Sequence, residues 1–294
     1  MLPILLVTVT LEMMLRAIPN PYQVKTAYIE ANSDSIETLI LGSSHAQFGI
    51  NPEYISHTAL NFANVSQTID IDYELLNHLE PKLPNLKYVI LRLSYATLYE
   101  QLALSNESWR LKEYNIYSTL RLDTKVKHQF EILSVKLNTN VDRIVEFYVN
   151  DTYVLNATEK GWGIEANSKD AKDLEVTGIA VAKKHTIADT SLYAENVDYL
   201  NKIISKCKDE NIKVLLVTTP TYQSYISNLD PQQLESTITI GEQMGVKYDN
   251  CNYYNLLNSP KFTKQDFFDG DHLNEKGAKK LTEFLNQELL DLDK

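Results

Sequence analysis

The sequence predicts an α/β fold built around a parallel β-sheet. Segments at residues 37–41, 88–93 and 213–218 are short and mostly apolar, as buried strands are. Amphipathic helical periodicity follows at 69–79 and 193–210. Strand, helix and strand at this spacing indicate parallel βαβ units. A chain of 294 residues is long enough for one sizeable domain with an insertion, or for two small domains.

The N-terminal residues 1–22 form a hydrophobic segment followed by a linker. Residues 1–18 are apolar but are interrupted by Glu12, and the Pro-Asn-Pro sequence at 19–21 predicts the linker. A bilayer-spanning helix needs about 20 apolar residues. The segment also lacks the basic start and the cleavage site of a signal peptide. A truncated anchor, a marginal anchor and a core-packed helix all remain open.

The globular domain is predicted over residues 23–294. A second short strand is expected at 59–62. Residues from about 98 to 192 are too long for a simple crossover and lack strong strand patterns, so they predict a largely helical insertion over the carboxyl edge of the sheet. Helical periodicity runs through 120–137 within it. The regular pattern then resumes, with a helix at 193–210, a strand at 213–218, a helix at 234–244, a short strand at 246–248 and a final helix at 275–290.

Composition limits the functional classes. The net charge of −11 and the lack of a basic stripe argue against nucleic acid as a partner. No segment has zinc-ligand spacing, so neither a metal nor a cofactor is expected. Cys207 and Cys251 could form a disulfide if the domain is exported. His128 and His185 have no acidic or cysteine partner pattern, and we expect both at surface or structural positions.

A serine follows the first predicted strand. The sequence Gly42-Ser43-Ser44-His45 places Ser44 just past a glycine at the tip of a buried strand, where α/β folds present nucleophiles. The same residues are also typical of an ordinary strand end with a serine that caps the next helix.

An acid and a histidine stand near the other end of the chain. Asp269 precedes His272 by three residues, just before an amphipathic helix, and this spacing allows both side chains to face the same way. Asp269 would then orient His272, and His272 would take a proton from a serine hydroxyl. An isolated Asp-x-x-His sequence is more often a polar loop, but its occurrence together with Ser44 is far more specific.

These two motifs make the sequence resemble the SGNH (GDSL-type) hydrolase family. Ser44 matches the nucleophile of the Gly-Asp-Ser block, with Ser43 in place of the usual aspartate. The last block matches through Asp269 and His272, followed by Leu-Asn and Gly-Ala as in the family. The resemblance covers about residues 35–290. It implies a three-layer α/β/α sandwich with a flavodoxin-like parallel sheet and a Ser-His-Asp triad.

The oxyanion-binding blocks match less well. The resemblance implies a backbone donor at Ser66, where the family usually has glycine, and a backbone N–H needs no particular side chain. The family's side-chain asparagine after the third strand is absent. Asn64 or Ser94 would have to replace it, or the site is slower or uses different chemistry. Loss of one such donor typically costs about 10²–10³ in rate.

The resemblance narrows further to membrane-anchored bacterial proteins linked to polysaccharide or cell-wall O-acylation. It implies an anchored protein with an extracytoplasmic domain and a membrane acyltransferase as a partner. If residues 1–18 instead pack as a core helix, the protein would be cytoplasmic. Candidate contacts to an acylated carbohydrate or small ester are Tyr95, Trp162, Thr219 and Tyr222, with Trp162 as a sugar-stacking ring. Trp162 and its loop could equally belong to a packed accessory lobe.

Two functions follow from the sequence. The first is an ester hydrolase or O-acyltransferase that forms an acyl-enzyme on Ser44. The second is a catalytically weak or inactive glycan-binding or assembly subunit on the same scaffold, suggested by the missing asparagine. Retention of Ser44, Asp269 and His272 together favours the enzyme.

Overall fold

Five parallel strands form the centre of the molecule in a computed structural model that describes residues 2–118 and 120–294. Met1, the first residue of the predicted hydrophobic segment, lies outside this range. The strand order is β2-β1-β3-β4-β5, with every pair parallel. The strands are β1 (Thr38–Leu41), β2 (Ala59–Asn61), β3 (Tyr88–Arg92), β4 (Lys213–Thr218) and β5 (Cys251–Asn255). The predicted fold class is confirmed.

Twelve α-helices surround the sheet in the described part of the chain. The first six are α1 (Leu2–Ala17), α2 (Pro21–Asn32), α3 (Ser44–Gly49), α4 (Ile69–Leu79), α5 (Leu111–Tyr117) and α6 (Glu131–Ser134). The others are α7 (Leu137–Tyr148), α8 (Leu174–His185), α9 (Tyr193–Asp209), α10 (Gln223–Ile226), α11 (Pro231–Lys247) and α12 (Glu275–Leu292). Helices α5 to α9 lie between β3 and β4, within or next to the predicted insertion.

Alternation along the buried strands creates two apolar cores, one on each face of the sheet. In β1, Leu39 and Leu41 belong to the core that contains α4, α9 and α11, whereas Ile40 belongs to the core that contains α3 and α12. The sheet is therefore covered on both faces, which gives the three layers. Because all strands are parallel, their carboxyl ends meet at one edge, and the loops after β1, β3 and β4 converge there.

Two local predictions are wrong. Residues 246 and 247 continue α11, and β5 begins only at Cys251, because the apolar face of α11 packs on the edge strand up to Met244. The helix predicted over 120–137 is broken into a short turn and α6, and α7 begins at its end. Cys207 and Cys251 are both buried and unpaired.

The N-terminal segment forms two helices. Residues 19 and 20 join α1 to α2, and Asn20 caps α2 by accepting a hydrogen bond from the Gln23 N–H. Helix α2 contributes Tyr22 and Ile29 to the core. Among the described residues, no single helix has the length and composition to cross a bilayer. Two helical segments taken together, Pro3–Ala17 and Pro21–Ser35, do have this length and composition, but their axes are bent by 65° relative to each other.

Candidate active site

Ser44 is presented by a sharp turn after β1. Gly42 adopts a φ of +126°, which L-residues rarely adopt, and a Cβ at this position would lie 2.7 Å from the Cβ of Arg92. Ser43 follows as the N-cap position of α3, and Ser44 is the first helical residue. Gly42 is therefore required both by the backbone and by the close approach of β3.

The loop before α12 brings an acid and a histidine to Ser44. Asp269 Oδ1 accepts hydrogen bonds from the backbone N–H groups of Asp271 (3.1 Å) and His272 (2.8 Å), which folds the loop around the carboxylate. The same carboxylate lies 3.0 and 3.1 Å from His272 Nδ1. His272 Nε2 is 2.8 Å from Ser44 Oγ. The three side chains form a connected serine–histidine–aspartate chain.

Neighbouring elements fix this loop. The Tyr222 N–H donates to the Gly270 carbonyl at 3.0 Å, and the Gly270 N–H donates to Thr177 Oγ1 at 2.9 Å. Asn274 caps α12 by accepting from the Lys276 and Gly277 N–H groups. His272 is thus held between the tip of β4, helix α8 and the start of α12.

A second group of polar side chains lies beneath the triad. His45 Nε2 is 3.0 Å from Asp271 Oδ2, and Arg92 Nη2 donates to His45 Nδ1 at 2.8 Å. Asp271 Oδ1 lies 3.4 Å from His272 Nδ1. All three supporting residues are buried. His272 is therefore flanked by two carboxylates, Asp269 and Asp271.

The charges around His272 set its protonation. Burial by itself would lower the pKa of His272, but the negative charge of Asp271, and then the hydrogen bond and charge of Asp269, raise it to about 9. Burial and the adjacent Arg92 lower the pKa of His45 well below its usual value, so His45 is neutral. Although burial opposes it, the charge of His272 and the hydrogen bond from His45 keep the pKa of Asp271 below its usual range. Asp271 is therefore a carboxylate.

The backbone at Ser66 has the geometry of a glycine position. Its φ of +60° lies in the left-handed region, and it lines the same cavity as Ser44. Its hydroxyl donates to Glu107 Oε2 at 2.6 Å, so the hydroxyl hydrogen is already engaged. The Ser44 N–H belongs to the first turn of α3, where helix N–H groups have no partner within the helix.

Asn64 does not meet the prediction of an oxyanion donor. Its side-chain amide donates to the Phe62 carbonyl and to Gln67 Oε1, both at 3.0 Å, and the residue is buried away from the cavity. Its Oδ1 accepts from Lys25 Nζ at 2.8 Å. Asn64 therefore builds the turn that carries Ser66.

Ser94 lines the cavity, but its polar groups are already paired. Its backbone N–H donates to Thr97 Oγ1 at 2.8 Å, and its own Oγ lies 2.9 Å from the same oxygen. This local turn occupies the place after β3 where an asparagine side-chain amide would otherwise serve as an oxyanion donor.

Lys25 is a supporting residue that sequence patterns did not indicate. It is fully buried on α2, and Nζ donates to the Ala63 carbonyl as well as to Asn64. No carboxylate of the described residues pairs with it, and burial lowers its pKa to about 7. A single lysine in an amphipathic helix carries no sequence signal for this role.

The cavity above Ser44 has a volume of about 860 Å³. Its walls come from the loops after β1, β2 and β3 and from α8, which lies within the predicted insertion. The lining is mixed, with apolar Leu102 and Ile187 near charged Glu107, Arg110 and Lys184. His185 also lines it, with Nδ1 at 3.0 Å from Tyr225 Oη.

The four predicted substrate contacts lie outside this cavity. Tyr95 is buried, with its hydroxyl 2.9 Å from Thr186 Oγ1. Trp162 donates its Nε1–H to the Phe48 carbonyl at 2.7 Å and packs on the end of α3. Thr219 is buried, and Tyr222 packs edge to face on Phe267 at 5.7 Å. All four are packing residues in this arrangement.

Of the two histidines expected at surface or structural positions, His185 needs correction, whereas His128 does occupy a structural position. His185 is part of the cavity wall, although burial lowers its pKa to about 4 and keeps it neutral. His128 is fully buried and lies 2.6 Å from Asp123 Oδ2, an acidic partner five residues away. The orientation of each of these two side chains depends on how the surrounding helices pack, which local sequence patterns do not reveal.

One group of side chains has the composition of a metal site. The nearest ligand atoms of His45, Asp271 and His272 lie within 4.8 Å of one another. However, the guanidinium of Arg92 faces His45, and His272 Nδ1 is engaged by Asp269. These contacts serve the triad and disfavour a cation.

Comparison with known proteins gives matches only among solved structures. No protein-family model matches the chain, and no curated protein matches it. A structure provisionally described as a platelet activating factor from Streptococcus pneumonia is 12% identical, with a TM-score of 0.44 over 90% of this chain and 91% of that one.

Two further structures come from Bacteroides species. One, provisionally described as an acylhydrolase from Bacteroides fragilis, is 11% identical with a TM-score of 0.44, over 90% of this chain and 95% of the other. A GDSL-like lipase from Bacteroides thetaiotaomicron is 10% identical with a TM-score of 0.45, over 92% and 99%. Likenesses at this level concern the fold and carry no weight for activity or substrate.

Proposed function

We propose that the protein is a serine-dependent ester hydrolase or O-acyltransferase of the SGNH (GDSL-type) kind. The observation that carries the proposal is the connected chain of Ser44 Oγ, His272 and Asp269, with contacts of 2.8 Å and 3.0 Å on the two sides of the imidazole ring. Such a chain activates a hydroxyl that is otherwise a weak nucleophile.

The first half of the reaction acylates Ser44. Its Oγ attacks the ester carbonyl carbon while His272 Nε2 takes the hydroxyl proton. The resulting oxyanion is bound by the Ser44 and Ser66 N–H groups, which stabilise charge that develops only in the transition state. The intermediate collapses, His272 returns the proton to the leaving alkoxide oxygen, and an alcohol departs.

The second half transfers the acyl group. Water or a sugar hydroxyl attacks the acyl carbon, and neutral His272 takes its proton. Collapse then releases the acid or the new ester, and the proton returns to Ser44 Oγ. Asp269 holds the imidazole with Nδ1–H toward itself, so that Nε2 is free to accept a proton. Hydrolysis and transfer differ only in whether water is excluded from this second step.

We propose an acylated carbohydrate or a similar polar ester as the substrate. Support comes from the size of the cavity, about 860 Å³, and from its mixed lining of polar and apolar residues. Carboxylate and guanidinium groups such as Glu107 and Arg110 can bind sugar hydroxyls, and apolar Leu102 and Ile187 can receive a short acyl chain. The resemblance adds a membrane acyltransferase as the proposed partner and an extracytoplasmic location as the proposed location. Co-purification in mild detergent would test the partner.

The decisive experiment is covalent labelling of the full-length protein with a fluorophosphonate, followed by peptide mass spectrometry. We expect the label on Ser44 and its loss in Ser44→Ala and His272→Ala. Ser43→Ala should still be labelled, because the neighbouring hydroxyl has no contact with His272 Nε2. Hydrolysis of a chromogenic acetate ester should follow the same pattern. A folded protein that neither labels nor turns over any ester would instead support the glycan-binding or assembly role.

A further inference from the structure

Helix α1 binds the protein through its two charged residues and exposes most of its apolar residues, although Leu15 is buried. Glu12 accepts hydrogen bonds from the backbone N–H groups of Glu131 (3.1 Å) and Ile132 (3.0 Å), at the start of α6. Arg16 donates to the Gln129 carbonyl at 2.8 Å. Leu6 and Met13, in contrast, are large apolar residues of α1 that are exposed. This is the reverse of what a water-facing helix shows.

The threonine hydroxyl groups in the exposed part of α1 form hydrogen bonds within the helix. Thr8 and Thr10 each donate to the backbone carbonyl four residues earlier, at 2.9 Å. A threonine that bonds its own helix in this way leaves no donor for water. The outward surface of α1 is therefore apolar even at its polar residue types.

Helix α7 has the same inverted arrangement. Asn140 is buried, and Arg143 donates from Nη1 to buried Glu131 Oε2 at 2.7 Å. Leu137 and Val141, by contrast, are exposed, with 66% of the Leu137 surface accessible. Tyr148 donates to the Met14 carbonyl at 3.0 Å and so ties α7 to α1.

These packed helices expose a group of apolar side chains that we call the apolar face, defined by Leu6, Met13, Phe130, Leu133, Leu137 and Val141. All six side chains are exposed, and α1 packs against both α6 and α7. The polar side of α7, with Asp142, lies around the helix from Leu137 by the 3.6-residue period. Helix α7 is apolar on one side, polar on a second and packed on protein along a third, which is the form of an interfacial membrane helix.

Positive charge borders the apolar face. Arg121, Lys125, Lys127 and Lys136 are all exposed in the segment that leads into α6 and α7. The acidic residues of that segment are engaged internally, Asp123 with His128 and Glu131 with Lys112 and Arg143. This local basic border stands out in a chain of net charge −11.

We infer that the apolar face docks in the surface layer of a bilayer that contains anionic lipids, with α7 lying in the interface. Exposed apolar side chains would enter the headgroup and acyl boundary, and the basic border would meet lipid phosphates. A two-fold contact between two copies fits less well, because it would bring the same cations together. The inference does not depend on the chemistry of Ser44.

The test is flotation of the full-length protein, exchanged out of detergent, with vesicles of phosphatidylcholine alone or with 30% phosphatidylglycerol (about one lipid in three, to give a surface potential). We expect binding that is stronger on the anionic vesicles and weaker in high salt. Leu137→Glu should weaken partitioning by roughly tenfold or more, because it places a charge where the proposal puts an exposed apolar side chain into the bilayer. Lys125→Glu combined with Lys127→Glu should remove the preference for anionic vesicles.

A matched control is Val246→Glu on α11, where the valine is 89% exposed but lies outside the apolar face. It should float like the unchanged protein. Leu137→Glu and Val246→Glu should both keep the circular dichroism spectrum and the melting temperature of the unchanged protein, which shows that the fold is intact. Absence of vesicle binding would overturn the inference. Vesicle binding by Leu137→Glu equal to that of the unchanged protein would also overturn it, since it would point to α1 alone. So would a dimer, seen by light scattering, that Leu137→Glu dissociates while neither protein binds lipid.

Discussion

The imidazole ring of His45 lies 4.7 Å from that of His272, with the two planes tilted by 30°. Both rings reach the same carboxylate, Asp271. Because Arg92 donates to His45 Nδ1, the His45 proton resides on Nε2 and faces Asp271. A neutral histidine thus holds a buried carboxylate in place without neutralising it, and the charge remains available to His272.

This arrangement predicts the pH dependence of the reaction. His272 must be neutral to accept a proton, and its pKa is raised to about 9, chiefly by Asp271 against the effect of burial. Acylation should therefore slow as pH falls below about 9. In Asp271→Asn the apparent pKa should move down toward the ordinary value of 6.5. The rate of fluorophosphonate labelling from pH 5 to 10 measures this shift, and an unmoved profile would contradict the role of Asp271.

Asp269→Asn should behave differently. If the amide oxygen stays on the backbone N–H groups, the NH2 group faces Nδ1 and favours the wrong tautomer of His272, so turnover should fall by about 10³-fold or more at every pH. Its backbone contacts to residues 271 and 272 are retained in part, because the amide oxygen still accepts. Circular dichroism and melting temperature serve as controls for folding. Equal losses in Asp269→Asn and Asp271→Asn would mean that the two carboxylates have no separate roles.

Ser66→Gly should be tolerated, since the proposed donor is the backbone N–H and glycine adopts a φ of +60° without strain. Labelling rates should stay within about twofold of the unchanged protein. Ser66→Val loses the same hydrogen bond to Glu107 but forces a β-branched residue into the left-handed region, which costs about 1–2 kcal/mol. Urea denaturation of the two variants isolates the backbone effect. A slower Ser66→Gly would show that the hydroxyl itself takes part.

Gly42→Ala should damage both stability and activity. The new Cβ would lie 2.7 Å from the Arg92 Cβ at a φ that favours glycine, and the strain should lower the free energy of unfolding by about 2–4 kcal/mol. Since the turn also sets the position of Ser44, labelling should slow more than partial unfolding explains. Gly245→Ala provides a comparison within a helix, where the nearest contact of an added Cβ is 3.5 Å. Normal labelling in Gly42→Ala would refute the proposed constraint.

Trp162→Phe should affect stability and leave substrate affinity unchanged. The indole N–H holds the Phe48 carbonyl at 2.7 Å, and its loss should cost about 1 kcal/mol. Because Trp162 is not part of the cavity wall, KM for any ester that the protein hydrolyses should remain the same. A large rise in KM at unchanged stability would restore the predicted sugar-stacking role.

Strands β1 to β4 and the triad could be predicted because their signals are local. A buried strand with a glycine and a serine at its tip specifies the position of Ser44, and three residues of spacing suffice to pair Asp269 with His272. Arg92 and Asp271 carried no such signal, since their roles depend on which strands become neighbours. The direction of Tyr95 and Trp162 was equally inaccessible, because both side chains bond to groups far away in sequence.

The contact of Glu12 with the start of α6 has a practical consequence for anyone who wants the protein in soluble form. Deletion of the hydrophobic first twenty residues would remove the acceptor of two backbone N–H groups. It would also expose the surfaces of α6 and α7 that pack against α1. Such a fragment should be less stable than the whole chain, and proteolysis should begin between residues 120 and 150. Replacing outward-facing side chains such as Leu6 and Met13 with polar ones is the better route, because it keeps the joint intact.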